Sequence, residues 1–420
     1  MNKHELVISR FKAINLERLE MTLVASTCSA AFLFGVSACG GGLADAAVAS
    51  EVQTTAAARV VSTPSDTASN PVIATGIATT TTALTTSLSP TGVSNQTTAE
   101  APNSAILAAE ARSLAGAKAA PRATSPATGP TLEGCPLFPS DHILNQPIDT
   151  APVHPNSAAF ISSIGATKGA KADFGSGTYL GGPIGISYNV VTNAQAKVPV
   201  VFEIAGESDP GPYPIPPDAL VEGGNASTGD RHVLVLDKSN CMLYETFSSF
   251  KQPDNSWTAY SGAVFDLTSN ALRPDGWTSS DAAGYAVLPA LVRYDEVASG
   301  EITHALRFTV PKTARRYVWP ATHFASNSFD SALPDMGLRF RLKANVDISG
   351  FHPQVQVILR ALKKYGMVLA DNGQSWFISG APDDRWDNTV LRQMSLITGN
   401  MFEAVDVSSR MVNPRSGQAK

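Results

Sequence analysis

Two polar residues face each other in the clearest hairpin pattern of the sequence. The alternating segments RHVLVLD and CMLYETF flank the turn DKSN, which predicts an antiparallel hairpin. If Leu236 pairs with Cys241, His232 stands opposite Glu245 on an otherwise apolar face. A histidine beside a carboxylate, both partly desolvated, favours the charged imidazole and can act as an acid/base pair. The alternative is a structural pair near the end of a sheet.

A second group of ionisable residues lies between positions 273 and 308. Two carboxylates near one bond can hydrolyse a glycosidic linkage, and an indole face can stack on a sugar. The candidate catalytic residues are His232, Glu245, Asp266, Asp281, Glu296 and His304, and the candidate substrate-binding residues are Trp277, Arg293, Arg339 and Arg341. The alternative for each carboxylate is a surface position or a role as a loop cap. The alternative for His304 is a buried core residue.

The two later arginines belong to a segment with strict alternation, LRFRLKANVDI. Phe340 and Leu342 fall on one face of the predicted strand, and Arg339, Arg341 and Lys343 fall on the other. This pattern predicts a strand with one dry and one wet face. The cationic stripe would suit an anionic polymer such as a uronate; the alternative is an ordinary solvated face.

The sequence lacks the common motifs for several other kinds of chemistry. It contains no GxSxG, HExxH, GxxxxGK[ST] or GxGxxG segment, no EF-hand loop and no CxxC pair. We therefore expect neither a metal site nor a cofactor. The net charge of −5 and the pI near 5.8 give no nucleic-acid footprint.

The elements that must position these residues are strands with a few helices. Helical patterns cover residues 155–165, 353–366 and 385–400, and most other periodic segments alternate with a period of two. We expect an α+β fold with a largely antiparallel, sandwich-like sheet system and a few packed helices.

The N-terminal region carries an export pattern. The uncharged run MTLVASTCSAAFLFGVSA follows several basic residues and ends in VSAC at residues 36–39. This segment resembles the lipobox of bacterial lipoproteins, which implies cleavage before Cys39 and acylation of its sulfur. Gly40 stands where an inner-membrane retention signal would place Asp. The resemblance implies a cell-envelope protein, anchored in the outer membrane and facing the periplasm or the exterior; the alternatives are a plain signal peptide or a single anchor helix.

Cysteine usage agrees with an exported domain. Of four cysteines, Cys28 would leave with the signal peptide and Cys39 would carry lipid, which leaves Cys135 and Cys241. In an oxidising compartment this pair is expected to form a disulfide; the alternative is two separate buried thiols.

Composition divides the chain into four parts. These are a signal peptide (1–38), a lipidated cysteine with a disordered Ala/Thr/Ser-rich linker (39–130), one globular domain (131–412) and a flexible tail (413–420). Residues 230–308 are also similar to a type of extracellular bacterial domain, a resemblance that carries no activity.

Taken together, these features predict an envelope lipoprotein that binds or cleaves a polysaccharide, as a glycoside hydrolase or lyase would. The alternative is a non-catalytic protein for surface adhesion or envelope assembly, so the sequence leaves open whether the domain is an enzyme. It also leaves the oligomeric state open.

The lipid anchor can be tested by substitution. Cys39→Ser removes the sulfur that would be acylated, and we expect the variant to leave the membrane fraction, because the acyl chains supply the membrane affinity. Immunoblots of fractionated cells measure this, with Cys28→Ser as the matched control. A Cys39→Ser protein that still sediments with membranes would refute the anchor.

Overall fold

The computed structural model describes residues 129–420 of the 420-residue chain. The predicted signal peptide, Cys39 and nearly all of the predicted linker lie outside the described residues. The described part is α+β, with strands in five sheets and a few helices. Within residues 129–420, no helix combines the length and the apolar composition needed to cross a membrane.

The helices and strands of the described residues are numbered here in chain order. The strands are β1 (Thr131–Leu132), β2 (Cys135–Pro136), β3 (Lys171–Asp173), β4 (Thr178–Tyr179), β5 (Gly182–Pro183), β6 (Tyr188–Val191), β7 (Val200–Phe202), β8 (Val233–Asp237), β9 (Met242–Phe247), β10 (Phe250–Lys251), β11 (Trp257–Ala259), β12 (Ser261–Asp266), β13 (Leu306–Val310), β14 (Arg339–Leu342), β15 (Met367–Asn372), β16 (Phe377–Ser379) and β17 (Phe402–Val405). The α-helices are α1 (Ser157–Ile164), α2 (Tyr294–Ser299), α3 (Pro353–Lys364) and α4 (Asn388–Leu391).

The largest sheet has six strands in the order β17-β14-β15-β13-β16-β3. Its central strands β13 and β15 run parallel, whereas β14 pairs antiparallel with β15 and β17. Helix α3 packs on this sheet, because its apolar stripe of Val355, Ile358 and Leu362 joins the buried cluster of Phe308 and Phe340. The predicted helix and its apolar stripe are therefore confirmed.

A second sheet has four strands in the order β12-β9-β8-β6. Alternation along β8 sends Leu234 and Leu236 into one hydrophobic cluster and Val233 and Val235 into another. Apolar side chains therefore cover both faces of this sheet. The antiparallel pairing of β8 with β9 confirms the predicted hairpin.

The predicted register of that hairpin is wrong by two residues. Leu236 pairs with Leu243 instead of Cys241, and Leu234 stands opposite Glu245. The reason is the turn: Cys241 has a φ of 54°, so it belongs to the turn and the ladder begins at Met242. His232 consequently does not face Glu245 across the strands.

The face of β14 that was expected to be solvated packs against other segments of the domain. Arg339 is fully buried, and its Nη1 and Nη2 donate to the carbonyls of Ile143 (3.0 Å) and Tyr365 (2.7 Å). Arg341 donates to Glu403 and to three carbonyls in the segment 148–151. Because these arginines satisfy main-chain acceptors, they do not form a free cationic stripe. This corrects the expected substrate-binding role of both.

The ends of the domain also differ from the sequence-based expectation. The last predicted helix is short: α4 has four residues and continues as a 3-10 helix, Arg392–Leu396. Residues 413–420, expected to be a flexible tail, lie against the domain. Gln418 Nε2 donates to Asp141 Oδ2 at 2.8 Å, and Ala419 is buried. These contacts make the last eight residues part of the folded domain.

A disulfide joins the two cysteines of the described residues. Cys135 follows β1 and Cys241 ends the hairpin turn, with their Cα atoms 5.3 Å apart and the bond formed. The predicted pairing of Cys135 with Cys241 is confirmed, and the bridge fixes the start of the domain to the hairpin.

Loss of the disulfide should lower the free energy of unfolding. The bridge spans 106 residues, and the chain-entropy relation gives about 4 to 5 kcal/mol for such a loop. The doubly substituted chain Cys135→Ser/Cys241→Ser is compared with wild type by urea unfolding. Reductant should destabilise wild type by a similar amount and leave the double variant unchanged. Equal stability of the two oxidised proteins would contradict this account.

Candidate functional site

A cleft of about 180 Å³ is lined by loops next to the two larger sheets and by the central strand β15. The lining also includes one end of β9, one end of β12 and two segments that have no regular secondary structure. The lining residues are Ile204, Glu207, Phe247, Tyr260, Ser261, Thr278, Ser279, Ser280, Asp281, Ala282, His323, Phe324, Ala325, Ser326, Asn327 and Asp371. We call residues 278–282 the floor segment and residues 323–327 the wall loop.

Two carboxyl groups of the cleft share one guanidinium. Arg307 on β13 donates from Nε and Nη2 to the two oxygens of Asp281, at 2.8 and 2.9 Å. Its Nη2 also lies 3.8 Å from Oδ2 of Asp371 on β15, and its Nη1 donates to Ser379 Oγ at 2.6 Å. The parallel pairing of β13 with β15 brings Arg307 and Asp371 together. We call Asp281 and Asp371 the carboxyl pair.

The two members of the carboxyl pair have different surroundings. Asp281 accepts two hydrogen bonds from a group that can only donate, which is the arrangement of an ionised carboxylate. Burial raises the pKa of Asp371 to about 8, and the nearby charge of Asp281 acts in the same direction, against Arg307. At neutral pH Asp371 is therefore a carboxylic acid beside a carboxylate.

Arg307 remains charged although it is buried. Burial alone would lower its pKa, but Asp281 raises it above the ordinary value, with smaller contributions from Asp371 and Glu222. A buried guanidinium is tolerated only when its donors have partners. Asp281 and Ser379 provide those partners.

A buried histidine supports the floor segment from below. His232 Nδ1 lies 2.7 Å from Glu222 Oε2, and Nε2 lies 2.9 Å from the carbonyl of Ser280. Both neighbours accept, so the ring donates from both nitrogens as an imidazolium. Burial lowers the pKa of His232, but Glu222 outweighs it and raises the pKa to about 9. The acid/base partner of His232 is thus Glu222.

Glu245 supports the same segment by a second route. Its carboxylate is fully buried and accepts from Ser280 Oγ (2.8 Å) and from the backbone N–H groups of Val287 and Leu288 (both 2.9 Å). Burial raises the pKa of Glu245, against these hydrogen bonds. Ser280 is therefore bonded through its carbonyl to His232 and through its hydroxyl to Glu245. Asp281 follows directly on this twice-anchored residue.

Several predicted site residues lie outside the cleft. Glu296, His304 and Arg293 form a separate buried cluster at α2, in which Arg293 donates to Glu296 and His304 Nε2 lies 3.1 Å from it. Although burial alone would raise the pKa of Glu296, Arg293 and His304 lower it. These three side chains satisfy one another, as expected for a structural cluster.

The remaining two candidates lie at the surface or beside the site. Asp266 is exposed at the end of β12, where it accepts hydrogen bonds from Thr268. Trp277 is half-buried, with the guanidinium carbon of Arg273 5.5 Å from its ring centre, and it does not line the cleft. Of the ten predicted catalytic and binding residues, only Asp281 lines the cleft, while His232 and Glu245 lie beneath it.

Sequence reasoning missed Asp371, whose pKa is raised by burial. Asp371 belongs to the segment ADNG, which is typical of a turn between strands, whereas the structure places Asp371 as the fifth residue of β15. Arg307 is the one charged residue of β13, LRFTV, all five residues of which are buried. A charge inside a buried strand costs free energy unless it is paired, and this was the available signal.

The described residues contain no group of three or more His, Cys, Asp or Glu side chains placed to hold a metal ion. Comparison of the chain with protein-family models, with curated proteins and with solved structures found no match in any of the three.

The protonation of Asp371 should appear in the pH dependence of stability. Its folded pKa of about 8 lies above the ordinary value of 3.8, so the native state holds a proton that the unfolded state releases. Wild type therefore loses stability as pH rises from 4 to 8, by up to about 1.4 kcal/mol per pH unit. Asp371→Asn removes this loss.

We expect the stability of Asp371→Asn relative to wild type to rise with pH and to level off above pH 8. Urea unfolding at several pH values measures the difference, with the exposed Asp218→Asn as control. A difference that stays constant between pH 4 and 8 would show that Asp371 is ionised in the folded protein.

Proposed function

We propose that this chain is a cell-envelope lipoprotein whose folded domain hydrolyses a polysaccharide. In this proposal residues 1–38 direct export, Cys39 carries the lipid, and the linker holds the domain away from the outer membrane. The sandwich-like packing of the sheets also remains a prediction, because each of the two larger sheets has its own hydrophobic clusters.

The observation that supports hydrolysis is the carboxyl pair. Glycoside hydrolases generally use one carboxylic acid to protonate the leaving oxygen and one carboxylate on the other side of the reaction. Asp371 supplies the first form at neutral pH and Asp281 the second, and both line one cleft. Environments that hold two carboxyl groups in different protonation states identify the acid and the base.

The proposed reaction uses these two groups and water. Asp371 gives its proton to the glycosidic oxygen as the bond from that oxygen to the anomeric carbon breaks. Asp281 accepts a proton from water as the water oxygen bonds to the same carbon. Arg307 balances the charge of Asp281 and keeps its position. Proton exchange with solvent then restores both groups.

The alternative of a non-catalytic adhesion or assembly protein would not need a buried carboxylic acid. A binding module for a polymer surface is expected to present a shallow platform with scattered charges, whereas here two buried carboxyl groups line one cleft. Perturbed titratable groups in a cleft favour an enzyme.

Substitution of the carboxyl pair tests the proposal. We expect Asp371→Asn and Asp281→Asn each to lower kcat by roughly 100- to 10,000-fold, because each removes one proton transfer. Release of reducing ends from a panel of polysaccharides measures the activity, and the exposed Asp266→Asn serves as control. Wild-type activity should also decline above pH 8 as Asp371 ionises.

Hydrolysis that survives both substitutions would remove the carboxyl pair from the mechanism. A wild-type protein that cleaves no polysaccharide of the panel would favour the non-catalytic alternative.

A further inference from the structure

A third carboxyl group lines the cleft without a cationic partner. Glu207 Oε2 lies 3.4 Å from the backbone nitrogen of Thr278. Among residues 129–420, no lysine, arginine or histidine lies within ion-pair distance of Glu207. Its carboxylate is half-buried and borders the same space as the carboxyl pair.

Among the described residues, the arginines near the cleft bond to acceptors or lie against its aromatic rings, and the guanidinium carbon of Arg315 is 5.5 Å from the ring centre of Phe324. Arg307 is paired with Asp281, and Arg273 donates to Asp209, to the carbonyl of Thr278 (2.6 Å) and to the carbonyl of Glu207 (2.9 Å). No lysine or arginine is among the lining residues in the described part of the chain. The lining itself therefore presents hydrogen-bond acceptors and the charge of Glu207 to a ligand, and Arg315 is not among the lining residues.

Aromatic rings form much of the remaining lining. Phe247 and Tyr260 meet edge to face with ring centres 5.9 Å apart. In the wall loop, His323 and Phe324 are parallel with ring centres 5.5 Å apart, and His323 Nδ1 bonds to the carbonyl of Ala282 at 3.0 Å. The negative face of an aromatic ring attracts C–H groups and cations and repels anions.

We propose that this cleft accepts a sugar unit that carries hydroxyl or amino groups and rejects a uronate. The inference rests on the proposed function and adds its substrate class. Glu207 accepts hydrogen bonds from the hydroxyl or ammonium groups of the sugar, and the aromatic rings contact its C–H face. At about 180 Å³ the cleft is smaller than the roughly 300–1,000 Å³ of pockets for drug-sized ligands, which suits one sugar unit.

The same charges decide between hydrolysis and elimination. A lyase removes the proton next to the carboxylate of a uronate, and that carboxylate must be neutralised for the proton to leave. Here the charge of Asp281 is balanced by Arg307, so a uronate carboxylate would meet the charge of Glu207 with no lysine or arginine among the lining residues, and like charges brought together cost free energy. The cleft therefore suits addition of water to a neutral or amine-bearing glycan.

Binding to charged and uncharged glycans tests the substrate class. The probes are oligosaccharides of several backbones in three sets: neutral, amine-bearing (such as chitosan oligomers) and uronate (such as oligogalacturonates). Calorimetry near neutral pH with the full chain carrying Asp371→Asn measures binding without turnover, and this substitution leaves the Arg307–Asp281 ion pair in place. We expect the best neutral or amine-bearing probe to bind at least tenfold more tightly than any uronate.

The role of Glu207 is tested by Glu207→Lys in the same background. We expect the reversed charge to weaken an amine-bearing probe by about tenfold relative to a uronate, with the exposed Glu301→Lys as control. Retained preference for amines in Glu207→Lys would overturn the assigned role of Glu207.

Failure of the substrate class and failure of the proposed function give different experimental results. A wild-type protein that binds and hydrolyses a uronate polymer best would overturn the substrate class and leave the proposed hydrolytic function standing. A protein that neither binds nor cleaves any of the three sets would overturn the proposed function and this inference with it.

Discussion

Arg307 lies beneath the cleft with its charge removed from water, and the chemistry of the site follows from how that charge is balanced. A buried ion loses several kcal/mol of solvation, which its partners must replace. Asp281 does so with two hydrogen bonds, whereas Asp371 approaches the same guanidinium only to 3.8 Å. One cation thus serves two carboxyl groups unequally. The unequal sharing leaves one carboxyl ionised and the other protonated.

The position of Asp281 depends on residues that never reach the cleft. Its neighbour Ser280 is bonded to His232 and Glu245, and these two side chains are among the most buried polar groups of the described residues. A segment without regular secondary structure is thereby anchored at Ser280 by two buried side chains. Support of this kind is what a site needs when its groups must stay in a fixed geometry. Two residues expected to do chemistry instead hold the position of Asp281.

Local patterns in the sequence predicted local structure well. The hairpin, helices α1 and α3, and the Cys135–Cys241 disulfide are in the structure as expected, because each depends on periodicity, capping or cysteine count. The His232–Glu245 pairing was wrong because it depended on the residue at which the turn ends, which is set by the backbone angle of Cys241.

Contacts between distant segments could not be predicted from the sequence. The burial of Arg339 depends on carbonyls of Ile143 and Tyr365, which lie far from it in the chain. Asp281 was selected as one of several carboxylates in a polar segment, but its partners Arg307 and Asp371 are defined only by the pairing of β13 with β15. Periodicity identifies which residues form a strand, and it does not identify the neighbouring strand.

The cleft combines two kinds of backbone. Arg307 and Asp371 stand on adjacent strands at the centre of the largest sheet, whereas the wall loop has no regular secondary structure. Surface loops accept sequence changes and insertions far more readily than central strands do. Descendants of this chain can therefore acquire a cleft of different shape by remodelling residues 323–327 alone, while the inherited arrangement of Arg307 and Asp371 stays intact.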